Sequence, residues 1–186
     1  ENLSTQNLAG LKMNKRSYKT LDKEIDSLKS NIFNFVKNID DTSVEASTFY
    51  VHTINYLDMM VNSVGYIVNN GFNHIDNNHK KLKFNQIKEL MIISKEVSDL
   101  FDKMNKVFET KKYSSINSLM HDVRETTARV DEAIQKQIKR IRTSETSPKN
   151  SKMYFSILLE SNVLLHFVID LLEKFEQFET YTKNKK

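Results

Sequence analysis

The chain contains no cysteine and no tryptophan, and only one proline and three glycines among 186 residues. Without cysteine there is no disulfide framework, no thiolate metal site and no cysteine nucleophile. With so few turn residues the chain cannot supply the hairpins of a β-sandwich or barrel. The same scarcity excludes the glycine-rich loops that cradle phosphates in nucleotide-binding folds. No run approaches the ~18 apolar residues of a membrane span, so none is expected. The first residues also lack the charged-then-apolar order of a signal peptide. No sign of charge dominates: 28 Lys and Arg stand against 24 Asp and Glu, a net charge of +4. That excess is too mild for a nucleic-acid-binding signature, and no nucleic-acid partner is expected.

What the chain does have is 39% hydrophobic and 28% charged residues, enough for one domain with a core of its own. Its basic residues cluster. Residues 9–23 hold Lys12, Lys15, Arg16, Lys19 and Lys23 against Asp22 alone. Residues 136–152 hold Lys136, Lys139, Arg140, Arg142, Lys149 and Lys152 against Glu145 alone. Such clusters are solvated helix surface, or they face an anionic membrane. Few aromatics interleave with them, which counts against single-strand recognition.

Hydrophobic periodicity predicts six helical segments. The first, 2–14, is short. The second, 17–39, carries Leu21, Ile25, Leu28, Ile32, Phe35 and Ile39, and Asp40 and Asp41 break it. Thr42 and Glu45 form a capping box that opens the third, 43–70. That helix has one stripe of Tyr50, Ile54, Leu57, Val61, Val64 and Val68, and another of Phe49, Tyr56, Met60 and Ile67. Two stripes suit a central helix with a face left over for a second copy or a membrane domain. Asn69, Asn70 and Gly71 read as its stop, and 71–82 as a connector. The fourth segment, 83–110, turns Phe84, Ile87, Met91, Val97, Phe101, Met104 and Phe108 inward. The fifth, 113–142, turns in Ile116, Leu119, Val123, Val130, Ile134, Ile138 and Ile141. Ser147 and Pro148 make an N-cap and first helical position for the sixth, 150–180, with Tyr154, Leu158, Leu165, Val168, Leu172 and Phe175 inward. The seven methionines sit mostly at core spacing and read as packing residues. A 28-residue helix is about 42 Å long, so the fold class is all-α, an elongated bundle of long antiparallel helices.

Two offsets suggest an internal repeat. Adding 104 carries Tyr50, Ile54, Met60, Val61, Val64, Ile67 and Val68 onto Tyr154, Leu158, Leu164, Leu165, Val168, Leu171 and Leu172. The match fails at Tyr56 against Glu160 and Leu57 against Ser161. Adding 109 carries Leu21, Asp22, Ile25 and Ile32 onto Val130, Asp131, Ile134 and Ile141, and fails at Leu28 against Gln137. The order of helices occurs twice, as two pseudo-repeated three-helix units, the first with a short or truncated leading helix.

The chain resembles the PhoU family, and more closely the PhoU-like cytoplasmic C-terminal domain of bacterial sodium/phosphate cotransporters. The residues that carry the likeness are Phe49-Tyr50 through Asn55-Tyr56-Leu57-Asp58, then 72–82, then Tyr154 to Glu160. The resemblance implies one PhoU-like domain over 1–186, with 1–78 as first unit and 79–186 as second, and a membrane domain upstream. A chain that opens on Glu1 rather than Met, with a basic 9–23 segment, accords with that attachment. The implied function is a regulatory domain of a sodium-dependent phosphate transporter at the cytoplasmic face of the bacterial inner membrane, binding and gating without making bonds. The implied partner is the transport domain of the same polypeptide, with a homodimer as a further expectation. The alternative is a standalone PhoU-type adaptor regulating phosphate transport or signalling.

PhoU proteins carry paired carboxylates four residues apart on the third helix of each unit, where both reach one cation. The matching positions here are Asp58 and Asn62, and Asn162 and His166. One carboxylate, two amides and an imidazole supply too little negative charge for a multinuclear metal cluster, so no cofactor is expected. His74, Asp76 and His79 read as surface residues or a turn network, and His52, His121 and His166 as ordinary helix residues. Asp122, Glu125 and Arg129 read as an ion-pair ladder along one helix face. No nucleophile–base constellation stands out, and no enzymatic activity is expected.

Overall fold

A computed structural model of the chain describes residues 1–38 and 44–184, and these are helical with no strand among them. The elements are α1 (Leu8–Ser30), α2 (Ile32–Asn38), α3 (Val44–Asp76), α4 (Phe84–Thr110), a 3-10 turn (Tyr113–Ser115), α5 (Ile116–Arg142) and α6 (Pro148–Asn184). The expected roles of Ile39, Asp40, Asp41 and Thr42 lie outside the described residues.

Helix ends follow local chemistry where the chemistry is strong. Ser147 Oγ accepts from the Asn150 N–H at 3.3 Å, so the expected cap of α6 is in place. Asn7 Oδ1 likewise accepts from the Gly10 N–H at 3.0 Å and starts α1. The expected division of the first 39 residues is wrong. One helix runs through 14–17, where Asn-Lys-Arg-Ser holds no Gly or Pro, and the break falls at Asn31 instead. There Ser30 Oγ donates to the Asp26 carbonyl at 2.8 Å and Asn31 Nδ2 to the Ser27 carbonyl at 2.9 Å. Both side chains compete with the backbone for the last turn.

The expected stop at Asn69–Gly71 is wrong too. A glycine ends a helix by turning left-handed, yet no glycine here has positive φ. Gly71 continues α3, and the left-handed residue is Asn78, at φ 53°. The connector therefore spans only 77–83, not 71–82. Gly65 has a separate reason to be small: a Cβ there would lie 2.4 Å from the Tyr18 ring, where α1 crosses α3.

α3 and α6 form the central pair and run antiparallel, with Asn70 bonded to Ser156 at one end and Phe49 stacked on Phe178 at the other. α1 packs antiparallel along the outer side of α3, through Lys29–Asp58 and Lys15 over the Phe72 ring. α5 packs antiparallel along the outer side of α6, through Asp131–Asn162 and Asn117–Glu176. α4 lies against α5 and closes one face of the central pair. Both stripes of α3 find cover within the chain. Tyr50 stacks on Phe35 of α2, while Phe49 and Tyr56 meet Phe175 and Phe167 of α6.

α6 supplies the centre of the core: Tyr154, Leu158 and Leu172 are fully buried, and Leu165 and Val168 nearly so. By length and composition alone this helix could cross a membrane, contrary to expectation, with a mean hydropathy of 1.7 over its most apolar window. Within the bundle α6 meets α3, α5 and the closing helix α4, which bury 39% of that window, while Leu159 and Val163 stay exposed.

The expected inward face of α4 is in place at Met104, which is buried, and at Ile87, Val97, Phe101 and Phe108, which pack against the core, but not at its start. Phe84 is 77% exposed, and Met91 lines an open groove of about 500 Å³ between α4 and α3. The buried side is Gln86, Ile93, Leu100, Met104 and Val107. Ile141, expected inward on α5, is also exposed. Four of the methionines, Met60, Met104, Met120 and Met153, are buried as expected, while Met13, Met59 and Met91 are not.

Candidate functional site

The four family-position residues do not converge. Asp58 faces α1, where its carboxylate pairs with Lys29 Nζ at 2.9 Å. Asn162 faces α5, donating from Nδ2 to Asp131 Oδ1 at 2.8 Å. These are opposite flanks of the central pair. His166 is exposed, with Nδ1 donating to the Asn162 carbonyl at 2.8 Å, and Asn62 is half-buried one turn beyond Asp58. Among the described residues no group of three or more His, Asp or Glu stands close enough to hold a metal ion. The expected ladder on α5 is also reassigned. Asp122 pairs with Lys103, Glu125 with His121 at 3.5 Å, and Arg129 with Glu96 at 3.1 Å. Three of these partners come from α4 or from the same face, so the acids and Arg129 do not pair with one another.

Two polar clusters lie toward one end of the bundle, neither of which the sequence brought together as a unit. The first is buried where α4, α5 and α6 meet. Arg140 Nη1 and Nη2 donate to the two carboxylate oxygens of Glu89 at 2.9 and 2.6 Å, a fork that fixes both planes. The Tyr154 hydroxyl donates to the same carboxylate. Below them Gln137, fully buried, accepts from Gln86 Nε2 at 3.0 Å and donates to Ser151 Oγ at 3.0 Å and Thr146 Oγ1 at 3.2 Å. These three partners lie on other helices or on the loop that leads into α6, and Arg140 of the same helix donates to Gln137 Oε1 at 3.5 Å. A sequence hint was present: Gln137 stands at apolar spacing between Ile134 and Ile141 on α5.

Burial alone would raise the Glu89 carboxyl; the hydrogen bonds from Arg140 and Tyr154 and the charges of Arg140 and Lys136 outweigh it and hold it below the usual range. Burial, together with the Glu89 hydrogen bond and charge, pushes the Tyr154 phenol well up, so it stays a proton donor. The pair offers no base for a nucleophile. Its consequence is a pH dependence of stability. An unfolded Glu titrates near 4.5, and the native one below that. The stabilisation is therefore complete above the unfolded value and disappears as pH falls through the native one. Urea midpoints between pH 7 and 3 are expected to fall more steeply for the wild type than for Glu89→Gln; parallel curves would contradict the depressed carboxyl.

The second cluster is a cleft between the end of α3 and the start of α6, about 440 Å³ in volume. His74 is buried and donates from Nε2 to the Lys80 carbonyl at 3.0 Å, so the turn-network reading holds for it and the surface reading does not. The His79 ring meets it edge-on at 5.2 Å. Lys149 and Lys152 of α6 form the opposite wall. Burial, and then the charges of Lys149 and His74, lower the His79 pKa.

No family model, curated protein or solved structure matches this chain.

Proposed function

We propose that the chain is a PhoU-like regulatory domain of a sodium-dependent phosphate transporter, built from two related helical units and acting at the cytoplasmic face of the bacterial membrane. The observation that carries the reading is the arrangement around the central pair. α1 flanks α3 as α5 flanks α6, both antiparallel, with α1 and α5 on opposite outer sides. Asp58 and Asn162, which the offset of 104 equates, each bond the flanking helix of their own unit, at Lys29 and Asp131. This order supports a repeat with α1 and α3 in one unit and α5 and α6 in the other. α4 leads the second unit and has no counterpart of its length in the first.

On this reading the domain works through binding, and its partner is a transport domain of the same polypeptide. The test is sodium-driven uptake of radiolabelled phosphate in cells that express the native gene, with and without the codons for residues 1–186. A several-fold change in uptake, or in its response to phosphate starvation, is the expected result. Uptake unchanged in both growth conditions would remove the transporter reading.

A further inference from the structure

The charges of this chain, nearly balanced in total, are segregated in space. The antiparallel packing brings residues 1–23, 62–95 and 130–162 to one end of the bundle, as the contacts Lys15–Phe72, Asn70–Ser156, Gln86–Gln137 and Asn150–Lys81 require. Those stretches hold 16 Lys and Arg against 8 Asp and Glu, while the rest of the chain holds 12 against 16. Two of the eight acids are paired with a cation of the same set: Glu89 with Arg140 and Glu132 with Lys136. One pole is therefore strongly basic.

The cleft of about 440 Å³ opens at this pole, and its chemistry matches the field around it. Lys149, Lys152 and His79 line it together with Asn73 and Asn77, whose Nδ2 also donates to the Asn73 carbonyl at 2.8 Å, and no Asp or Glu is among its lining residues. The His74–Lys80 bond and the Asn70–Ser156 bond hold two of its walls. Lys149 and Lys152 sit near the start of α6, where helix electrostatics favours acidic residues, yet the first turn has none. Concentrated like charge with no compensating carboxylate is what a site for an anion requires.

We propose that this cleft binds a phosphate-class oxyanion, tetrahedral and multiply charged. Ammonium groups are rotatable point donors, and with amide N–H groups they suit tetrahedral oxygens; the planar fork of an arginine, which favours carboxylates as well, does not line the cleft. A free phosphate compound and the phosphate of an anionic lipid headgroup offer the same chemistry. The inference depends on the cleft alone and stands whether or not the chain belongs to a transporter.

The test is titration calorimetry of the full chain with inorganic phosphate and pyrophosphate near physiological salt, beside co-sedimentation with phosphatidylcholine vesicles with and without phosphatidylglycerol. Lys149→Glu with Lys152→Glu is the cleft variant, and Lys106→Glu with Lys112→Glu makes the same charge change at the opposite end. Acidic residues early in α6 favour the helix, so circular dichroism should show the cleft variant folded. Binding of the soluble anions, weakened roughly tenfold or more by the cleft variant and little by the other, is the result expected for a free ligand. The same variant pattern seen only with phosphatidylglycerol vesicles assigns the site to a lipid headgroup. No binding in either arm, or equal weakening by both variants, overturns the proposal.

Discussion

Arg140→Ala is expected to lower the unfolding free energy by about 3 kcal/mol, which for a chain of this size corresponds to a fall in melting temperature of roughly 6–12 °C. The Arg140 and Glu89 side chains are only 13% and 19% exposed, so removing the guanidinium leaves a carboxylate in a site that water reaches poorly. Lys136 acts on Glu89 through its charge alone and is itself bonded to Glu132, and Tyr154 can supply one hydrogen bond only. Tyr154→Phe should cost less, about 1 kcal/mol, because Glu89 keeps both bonds from Arg140. Replacing both charges with apolar residues, as in Glu89→Leu with Arg140→Met, should recover most of the loss, since the penalty lies in the unpaired charge. Chemical denaturation of the four proteins checks the series. A loss below ~1 kcal/mol for Arg140→Ala would mean that water solvates the cluster more fully than its burial implies.

Leu158→Ala is expected to cost about 2–5 kcal/mol, while Phe84→Ala should change stability by no more than about 0.5 kcal/mol. Periodicity alone ranks the two residues together as inward-facing. The structure separates them: Leu158 is fully buried in the middle of α6, and Phe84 is 77% exposed at the first position of α4. Equal costs in a urea titration would show that α4 presents its Phe84 side to the core after all.

That contrast also marks how far local pattern reaches. The limits of α4 were legible almost to the residue, expected at 83–110 and found at Phe84–Thr110. Its inward face was legible at Ile87, Val97, Phe101, Met104 and Phe108 but not at Phe84 and Met91, because a second, overlapping stripe through Ile93, Leu100 and Val107 is buried deeper. Which stripe lies deeper depends on where α5 and α6 lie. Gly71 misled for a related reason. Glycine permits a left-handed stop but does not impose one, and burial of Gly71 and His74 in α3 favours carrying the helix on to Asp76.

The candidate sites were less legible than the helices. Asp58, Asn62, Asn162 and His166 could be named from resemblance, but nothing local says that Asp58 faces Lys29 while Asn162 faces Asp131. Glu89 lies 51 residues from Arg140 and 65 from Tyr154, so no spacing rule connects them. The basic cleft joins histidines at 74 and 79 to lysines at 149 and 152, two groups that look like unrelated surface charge along the chain.

Helix formation rests on hydrogen bonds between residues four apart and is favoured by the scarcity of Gly and Pro, and the sequence by itself determined that this protein is a set of long helices. The pairing of those helices, their rotation and register, the lock at Glu89 and the basic pole were decided only by the tertiary structure. Those features depend on contacts between residues tens of positions apart. A turn of a helix by one residue, about 100°, would move each of these side chains onto a different neighbour.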